Sequence, residues 1–429
     1  MACSRPRQGL FKIKSYKPAN KVIVQYLPIK KTSNLPTYFL MILIGFCIDI
    51  PQVSANPSFL EGNNYQCGGY ARAGYINTDI ENTSSEQAGA MGGSIACSIT
   101  FQEFLTLNLG GFTSIDPGIN SNNDDRVHGD FFDADKNSYA LLGLAYISIH
   151  YEKFDTHLGR QVFDSPHMDS DDLRMVPNLF QAYLVDYQYT DQIEFGAGYI
   201  HKASGWENGA DQSEFINVGR GFSGKGEGAW VAWSNYEHNN FSGSSWFYNI
   251  KDNVNILYTE LFYGQELGET LSYELGFQYE LGRETGAEYF GKVDADTFGV
   301  TGAVTWEDLT VIAGYNHNFG DSGALPSLGG GPFFTSMEDQ TLDAVDAGKD
   351  ARAVVVRLEY GLLDGLTVGT AVADFSASSN SDYHKVQHDI YAYYELADRI
   401  TLESIIAHTY DKVAGDDLQQ YRIILTYHF

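Results

Sequence analysis

Between Arg160 and Arg174 the chain places Asp164, Asp169, Asp171 and Asp172, two guanidiniums against four carboxylates in one polar stretch. An arginine fork binds a carboxylate bidentately and keeps its charge, while grouped carboxylates attract cations. This mixture suits passing contact with a small charged solute. Groups for bond-making chemistry are less in evidence, because His150, His157, His201 and His408 show no partner spacing of the kind a Ser/His or Asp/His hydrolase needs. Asp130, Asp133, Asp135 and Asn137 form an oxygen-rich cluster that raises the question of Ca²⁺. The Gly and Glu that an EF-hand requires at its sixth and twelfth positions are Ser138 and Leu144 here, so an EF-hand is rejected in favour of ordinary loop acidity. There is no GxGxxG at a strand-to-helix junction, no P-loop and no metal-spaced Cys/His cluster, and no cofactor is expected.

The elements that must position these groups carry a period of two. Tyr421, Ile423, Leu425, Tyr427 and Phe429 share one face, with Arg422, Thr426 and His428 on the other. Leu271 to Leu281 alternate in the same way against Ser272, Glu274, Gln278 and Glu280, and Phe298 to Trp306 against Thr297, Thr301 and Thr305. These parities put Arg72, Arg357 and Arg422, with Glu274, Glu280 and Glu403, on the polar face. Each arginine either meets solutes or braces the wall against a nearby acid, as Arg357 would against Glu359.

Alternation alone does not separate a soluble barrel from a membrane one. Ahead of the strands lies an apolar run of about ten residues, Tyr38 to Ile48, preceded by Lys12, Lys14, Lys17, Lys21, Lys30 and Lys31 and followed by Val53-Ser54-Ala55. That is the layout of a secretory leader cleaved after Ala55, with the mature chain running over 56–429. Phe46 before Cys47 argues against a lipoprotein cleavage site. A leader, segments of ~10 alternating residues and a closing strand that ends in Tyr427 and Phe429 match the outer-membrane type. The expected fold is therefore all-β, a transmembrane antiparallel barrel embedded in outer-membrane lipid and lipopolysaccharide, with its terminal aromatics presented to the barrel assembly machinery.

Removing the leader takes eight Lys/Arg and one Asp from totals of 27 and 55, which leaves 19 basic and 54 acidic residues and a formal charge of −35. A surface so acidic disfavours nucleic acid as a partner.

Connections alternate between short and long. Short turns fall at Glu307-Asp308, Tyr189-Thr190-Asp191, Leu363-Asp364-Gly365 and Leu396-Ala397-Asp398. Long loops run over Asn77 to Ala90, Asp116 to Ser138, Phe163 to Asn178, Lys202 to Gly226, Gly282 to Val293, Asn318 to Asp350, Phe375 to Tyr383 and Asp411 to Asp417, with a short ninth at Lys251-Asp252-Asn253. Nine outer loops imply 18 strands, a lumen wide enough for water, and both termini on the periplasmic side. Cys67 and Cys97 are equidistant from the first turn near Asn82, so they can face each other across adjacent strands on the lipid side. A cross-strand disulfide and two small lipid-facing residues are both open at this point.

Residues His157 to Tyr183 read HLGRQVFDSPHMDSDDLRMVPNLFQAY. This resembles the OprD-type family of outer-membrane porins, in which a Gly-Arg strand end leads into a constriction loop with Asp-x-Arg and then a Pro-Asn-x-Phe strand start. Here those positions are Gly159-Arg160, Asp172-Leu173-Arg174 and Pro177-Asn178-Leu179-Phe180. Gly329-Gly330-Gly331-Pro332-Phe333-Phe334-Thr335-Ser336-Met337-Glu338 looks like the second loop such porins fold toward the channel. The resemblance implies a monomeric or homotrimeric 18-stranded porin of a Gram-negative outer membrane, not an enzyme, passing small hydrophilic solutes, often carboxylates, along a row of basic residues. An adhesin or structural barrel is the alternative, and an outer-membrane hydrolase a more distant one. The strong negative charge departs from the family pattern, and with Asp164, Asp169, Asp171 and Asp172 against Arg160 and Arg174 around the loop Phe163 to Asn178, modest cation preference is expected.

Overall fold

The computed structural model describes residues 64–345, 350–377 and 380–429. The leader assigned to residues 1–55, with its apolar run and Cys47, lies outside the described residues.

Nineteen strands follow in order. The first third comprises β1 (Asn64–Ile80), β2 (Glu86–Phe101), β3 (Leu105–Ile115), β4 (Tyr139–Tyr151), β5 (Phe154–Gln161), β6 (Leu179–Thr190) and β7 (Ile193–Ser204). Then come β8 (Ile216–Asn217), β9 (Ala229–His238), β10 (Phe241–Ile250), β11 (Val254–Glu266), β12 (Leu271–Glu284) and β13 (Asp294–Trp306). The last are β14 (Leu309–Asn318), β15 (Ala351–Leu363), β16 (Leu366–Ala377), β17 (Asn380–Ala397), β18 (Ile400–Asp411) and β19 (Leu418–His428). The two-residue β8 and the short helix α1 (Val218–Ser223) belong to a loop. The remaining eighteen strands pair antiparallel with their neighbours, and β19 pairs back onto β1, so the sheet closes as the loop count predicts. Closure leaves no free edge, the condition under which strands can cross a bilayer.

Side-chain polarity fixes which face meets lipid. Along β15, Val354, Val356 and Leu358 are 48, 47 and 43% exposed while Ala351, Ala353, Val355 and Arg357 are buried inside. Apolar residues outward and an arginine inward is the reverse of a soluble barrel and the arrangement of a membrane one. Trp230, Trp306, Tyr65 and Tyr427 are exposed on the same outward face.

Two loops differ from expectation. The first, expected over Asn77 to Ala90, shrinks to five residues because β1 continues to Ile80 and β2 starts at Glu86. The loop expected over Phe375 to Tyr383 is likewise shorter, because β16 continues to Ala377 and β17 starts at Asn380. Polar strand ends keep exchanging backbone hydrogen bonds, so a change in side-chain polarity does not mark where pairing stops.

Three long loops pack inward against the barrel wall: L2 (116–138), L3 (162–178) and L7, described over 319–345. Each carries its own apolar anchor. Phe131 and Phe132 of L2 pack with Ile76 and with Met175 of L3. Phe163 and Met168 of L3 pack on Trp233, Trp246 and Tyr248, and Leu325 and Leu328 of L7 join the same cluster. Phe333, Met337 and Leu342 of L7 lie against Ala351, Ala353, Val355 and Ala373. Small inward residues on β15 and β16 leave the room that L7 occupies, and each buried aromatic or aliphatic side chain contributes about 1.5–3 kcal/mol to holding the loop inward.

Candidate functional site, the charged constriction

A charged row inside the barrel is built from three guanidiniums and the carboxylates that the loops bring to them. Arg72 on β1 faces inward, donates to both oxygens of Asp172 at 2.7 and 3.1 Å and to Thr426 Oγ1 at 3.1 Å, and lies over the Tyr70 ring. Arg174 of L3 donates from Nε to Asp130 of L2 at 2.7 Å, reaches to 3.6 Å from Glu338 of L7, and stacks 4.2 Å from the Trp206 ring. Arg422 on β19 grips both oxygens of Glu338, and Gln420 adds a donor to the same carboxylate at 2.8 Å. One row thus runs from the wall through L3 to L7 and back to the wall.

Beside it lies a cavity of about 80 Å³ whose lining includes Leu173, Glu338, Arg357, Asp389, Glu403 and Arg422. Arg357 faces this cavity and donates to the carbonyl of Ser336. Asp389 accepts the backbone N–H of Glu338 at 3.3 Å, and the Tyr391 hydroxyl donates to Glu359 at 2.8 Å. Guanidinium forks can take a carboxylate, and Asp172, Asp389 and Glu403 can take an ammonium group.

Electrostatics in the loops follow burial and neighbours. Burial alone would raise the Asp130 carboxyl, but the Arg174 guanidinium overrides it and holds the group below the usual carboxylate range. Glu207, in the loop 205–228, is pushed well above its ordinary value by burial and by the Asp171 charge, although Asn178 donates to it at 2.9 Å.

The arginines read from strand parity, Arg72, Arg357 and Arg422, all face the lumen at this level. Glu274, Glu280 and Glu403 also face inward, but Glu280 is sealed beneath L3 and L7 and does not line the path. Asp172 and Arg174 belong to the charged row, whereas Asp169 and Asp171 are buried within L3, where Asp169 accepts the Asp171 N–H at 2.8 Å.

Arg160 is a correction. Tyr146 pairs with Gly159 and Ser148 with His157, which puts the odd-numbered residues of β5 inside and Arg160 outside. There it donates to the Leu142 carbonyl at 3.0 Å and lies over the Phe215 ring. Phe333 and Phe334 are a second correction: at 0 and 2% exposure they anchor L7 to the wall instead of facing solutes, with Phe334 against Phe262.

The acidic cluster of L2 does not converge. Asp133 caps its own turn, accepting the N–H groups of Asp135 and Asn137 at 3.0 and 2.7 Å, and Asp130 is taken by Arg174. Among the described residues, no three His, Cys, Asp or Glu side chains are placed to hold a metal. Two histidines do have neighbours that spacing did not disclose, His157 with Ser148 at 3.1 Å and His150 with Asp155 at 2.7 Å. The acid partners His150, not the Ser-bonded His157, so these two pairs do not form a relay. Cys67 sits directly opposite Cys97 with a Cα separation of 4.1 Å and the sulfurs bonded. Tyr427 and Phe429 point outward, and Phe429 exchanges both backbone hydrogen bonds with Gly69, at 3.0 and 3.1 Å.

Glu338, Asp389 and the role of Asp130 were not singled out from the sequence. Asp389 carried a usable signal, since it alternates with Gln387 and Tyr391 on the inward parity. Glu338 and Asp130 did not, because a loop that folds back has no period to show which residue meets which wall.

The same architecture occurs in solved structures, though at low sequence identity. OccK9 (OpdG) of Pseudomonas aeruginosa superposes with a TM-score of 0.76 at 18% identity over 86% of this chain and 99% of its own. OpdK of Pseudomonas aeruginosa, determined with vanillate, gives 0.73 at 18% over 85 and 98%. OccAB3 of Acinetobacter baumannii gives 0.75 at 14% over 85 and 99%. No curated protein sequence matches the chain. The family model described as outer membrane porin, OprD family, matches residues 115–343, which is more than half of the chain and includes L2, L3 and most of L7. With a closed barrel of eighteen strands and inward loops that meet in a charged row, this integral protein of the Gram-negative outer membrane belongs to the OprD family of porins.

Proposed function

We propose that this porin forms a water-filled channel for passive, weakly selective diffusion of ions and small hydrophilic solutes, amino acids and small carboxylates among them, with a modest preference for cations. The observation that carries the reading is the state of the guanidinium row. Arg72, Arg174 and Arg422 already hold Asp172, Asp130 and Glu338, while Asp389 and Glu403 line the cavity beside the single further guanidinium of Arg357, so five carboxylates stand against four guanidiniums. Charges at the narrowest point dominate selectivity, because loop acids more than roughly 10 Å away are screened at physiological salt. A zwitterion can still pass, with its carboxylate on a guanidinium fork and its amine on Asp172 or Asp389. OpdK was determined with vanillate, and carboxylate-bearing solutes are proposed here by analogy.

Reversal potentials across a planar bilayer under a KCl gradient test this reading. A potential of the sign set by K⁺ supports it. A potential of the sign set by Cl⁻ would mean that the acids are rim decoration and that the arginine row governs passage.

A further inference from the structure

The outer face of the barrel carries a polar rung near the long-loop ends of β5, β6 and β7. Gln181 of β6 pairs with Arg160 of β5 on one flank and with Lys202 of β7 on the other, so the three stand side by side. All three point away from the lumen, because Gln161, Phe180 and Ala203, the next residue along each strand, are buried inside. Neighbouring strands lie about 4.8 Å apart, which sets the Arg160 and Lys202 backbones about 10 Å from each other. Below the rung runs an outward aromatic row, in which Tyr183 pairs with Tyr199 and Tyr199 with Trp230. Trp230 is 61% and Tyr183 43% exposed, and the Tyr199 and Trp230 rings are 5.0 Å apart. Exposed aromatics on the outside of a barrel mark the level of the lipid head groups. Two residues separate Gln181 from Tyr183, so the two cations stand about 7 Å beyond that level, toward the long loops.

The chain itself does not neutralise them. Acidic residues outnumber basic ones by 55 to 27, and at nearby strand ends Arg283, Lys251 and Lys292 hold Asp294, Glu227 and Glu284. Arg160 and Lys202 form no ion pair among the described residues. The Arg160 guanidinium is fixed by the Leu142 carbonyl and by the Phe215 ring 4.3 Å away, which uses one of its five N–H donors and leaves others for a ligand.

We propose that Arg160 and Lys202 form a site on the outside of the barrel for the phosphate of an outer-leaflet glycolipid, lipopolysaccharide. A guanidinium fork matches a phosphate bidentately, and the ammonium group adds a point charge. The Gln181 amide between them suits a sugar hydroxyl. Beneath, the Tyr183, Tyr199 and Trp230 row offers apolar surface to the carbon skeleton that follows the phosphate into the bilayer. Paired cations next to an interfacial aromatic row fit an anchored amphiphile better than a free anion. The site lies outside the lumen and does not depend on what the pore passes.

Native mass spectrometry of the whole purified protein with added bisphosphorylated lipid A tests the site. Wild type should retain the lipid, and the same lipid stripped of its phosphates should be retained about tenfold less. A variant carrying Arg160→Gln and Lys202→Gln should lose the phosphorylated lipid by a similar factor while keeping its compact, heat-modifiable form. Arg352→Gln, at an exposed cation of β15, should bind as wild type does. Inorganic phosphate in millimolar excess should not displace the lipid. Equal retention with and without the lipid phosphates, a comparison that needs no variant, would overturn the site. So would undiminished binding by the double variant or an equal loss in Arg352→Gln. Displacement by inorganic phosphate would overturn the lipid assignment and leave a free-anion site.

Discussion

Arg174 is the residue on which the constriction's polar contacts converge, and it is 4% exposed with Asp130 and Glu338 as partners. Removing one partner of a buried ion pair typically costs about 3–5 kcal/mol because it strands the opposite charge. Arg174→Ala should therefore both increase cation preference and make L2 and L3 more susceptible to protease. Asp172 and Asp171 are separable: Asp172→Asn should lower cation preference because its side chain is 45% exposed, whereas Asp171→Asn, within L3, should leave reversal potentials nearly unchanged. Asp130 gives an acid-side prediction. Its carboxyl is held below its ordinary value, so its contribution is complete above the usual Asp pKa of about 3.9 and is lost as pH falls further. Loop proteolysis should rise below that pH in the wild type, and an Asp130→Asn variant should show the same susceptibility already at neutral pH. Much of this residue-level picture was legible in the sequence, since parity alone placed Arg72, Arg357, Arg422 and Glu403 on the lumen wall. Parity did not extend to Arg160, where register across the β4–β5 hairpin decided the face, nor to Glu280, whose inward direction was evident but whose cover of folded loop was not.

At the scale of elements, strands were far easier to foresee than loops. A strand announces itself through alternation every two residues, and nine outer loops were enough to count eighteen strands. The destination of L7 depended on something else, the small inward residues Ala351, Ala353, Ala371 and Ala373, which make a bed for Phe333 and Met337. Small residues on a strand read from sequence as weak pattern, and only the assembled barrel shows that they face a loop. The first hairpin carries its own test. Cys67 and Cys97 close a segment with a sequence separation of 30 next to the seam between β1 and β19. By loop-closure entropy such a link disfavours the unfolded chain by about 3–4 kcal/mol. Non-reducing mass spectrometry should find the two cysteines linked, and Cys67→Ser should lower the temperature at which the barrel loses its compact, fast-migrating form on gels. Two free thiols in freshly extracted protein would remove this contribution from the account.

For the whole molecule, the proposed reading makes the barrel a scaffold and the folded-in loops the filter. N-terminal sequencing of outer-membrane material should begin near Asn56. Phe429 follows β19, stays bonded to Gly69 of β1 and faces outward beside Tyr427, so Phe429→Asp should reduce the amount of assembled barrel more than the conductance of each assembled pore. The strongly acidic chain and its arginine row agree on one picture only if water fills the path between them. That claim is tested most directly by adding the purified protein to a planar lipid bilayer in KCl and recording current at constant voltage. Discrete, ohmic conductance steps that persist for each inserted molecule are predicted. Verified, heat-modifiable barrel that inserts yet carries no current would contradict the account.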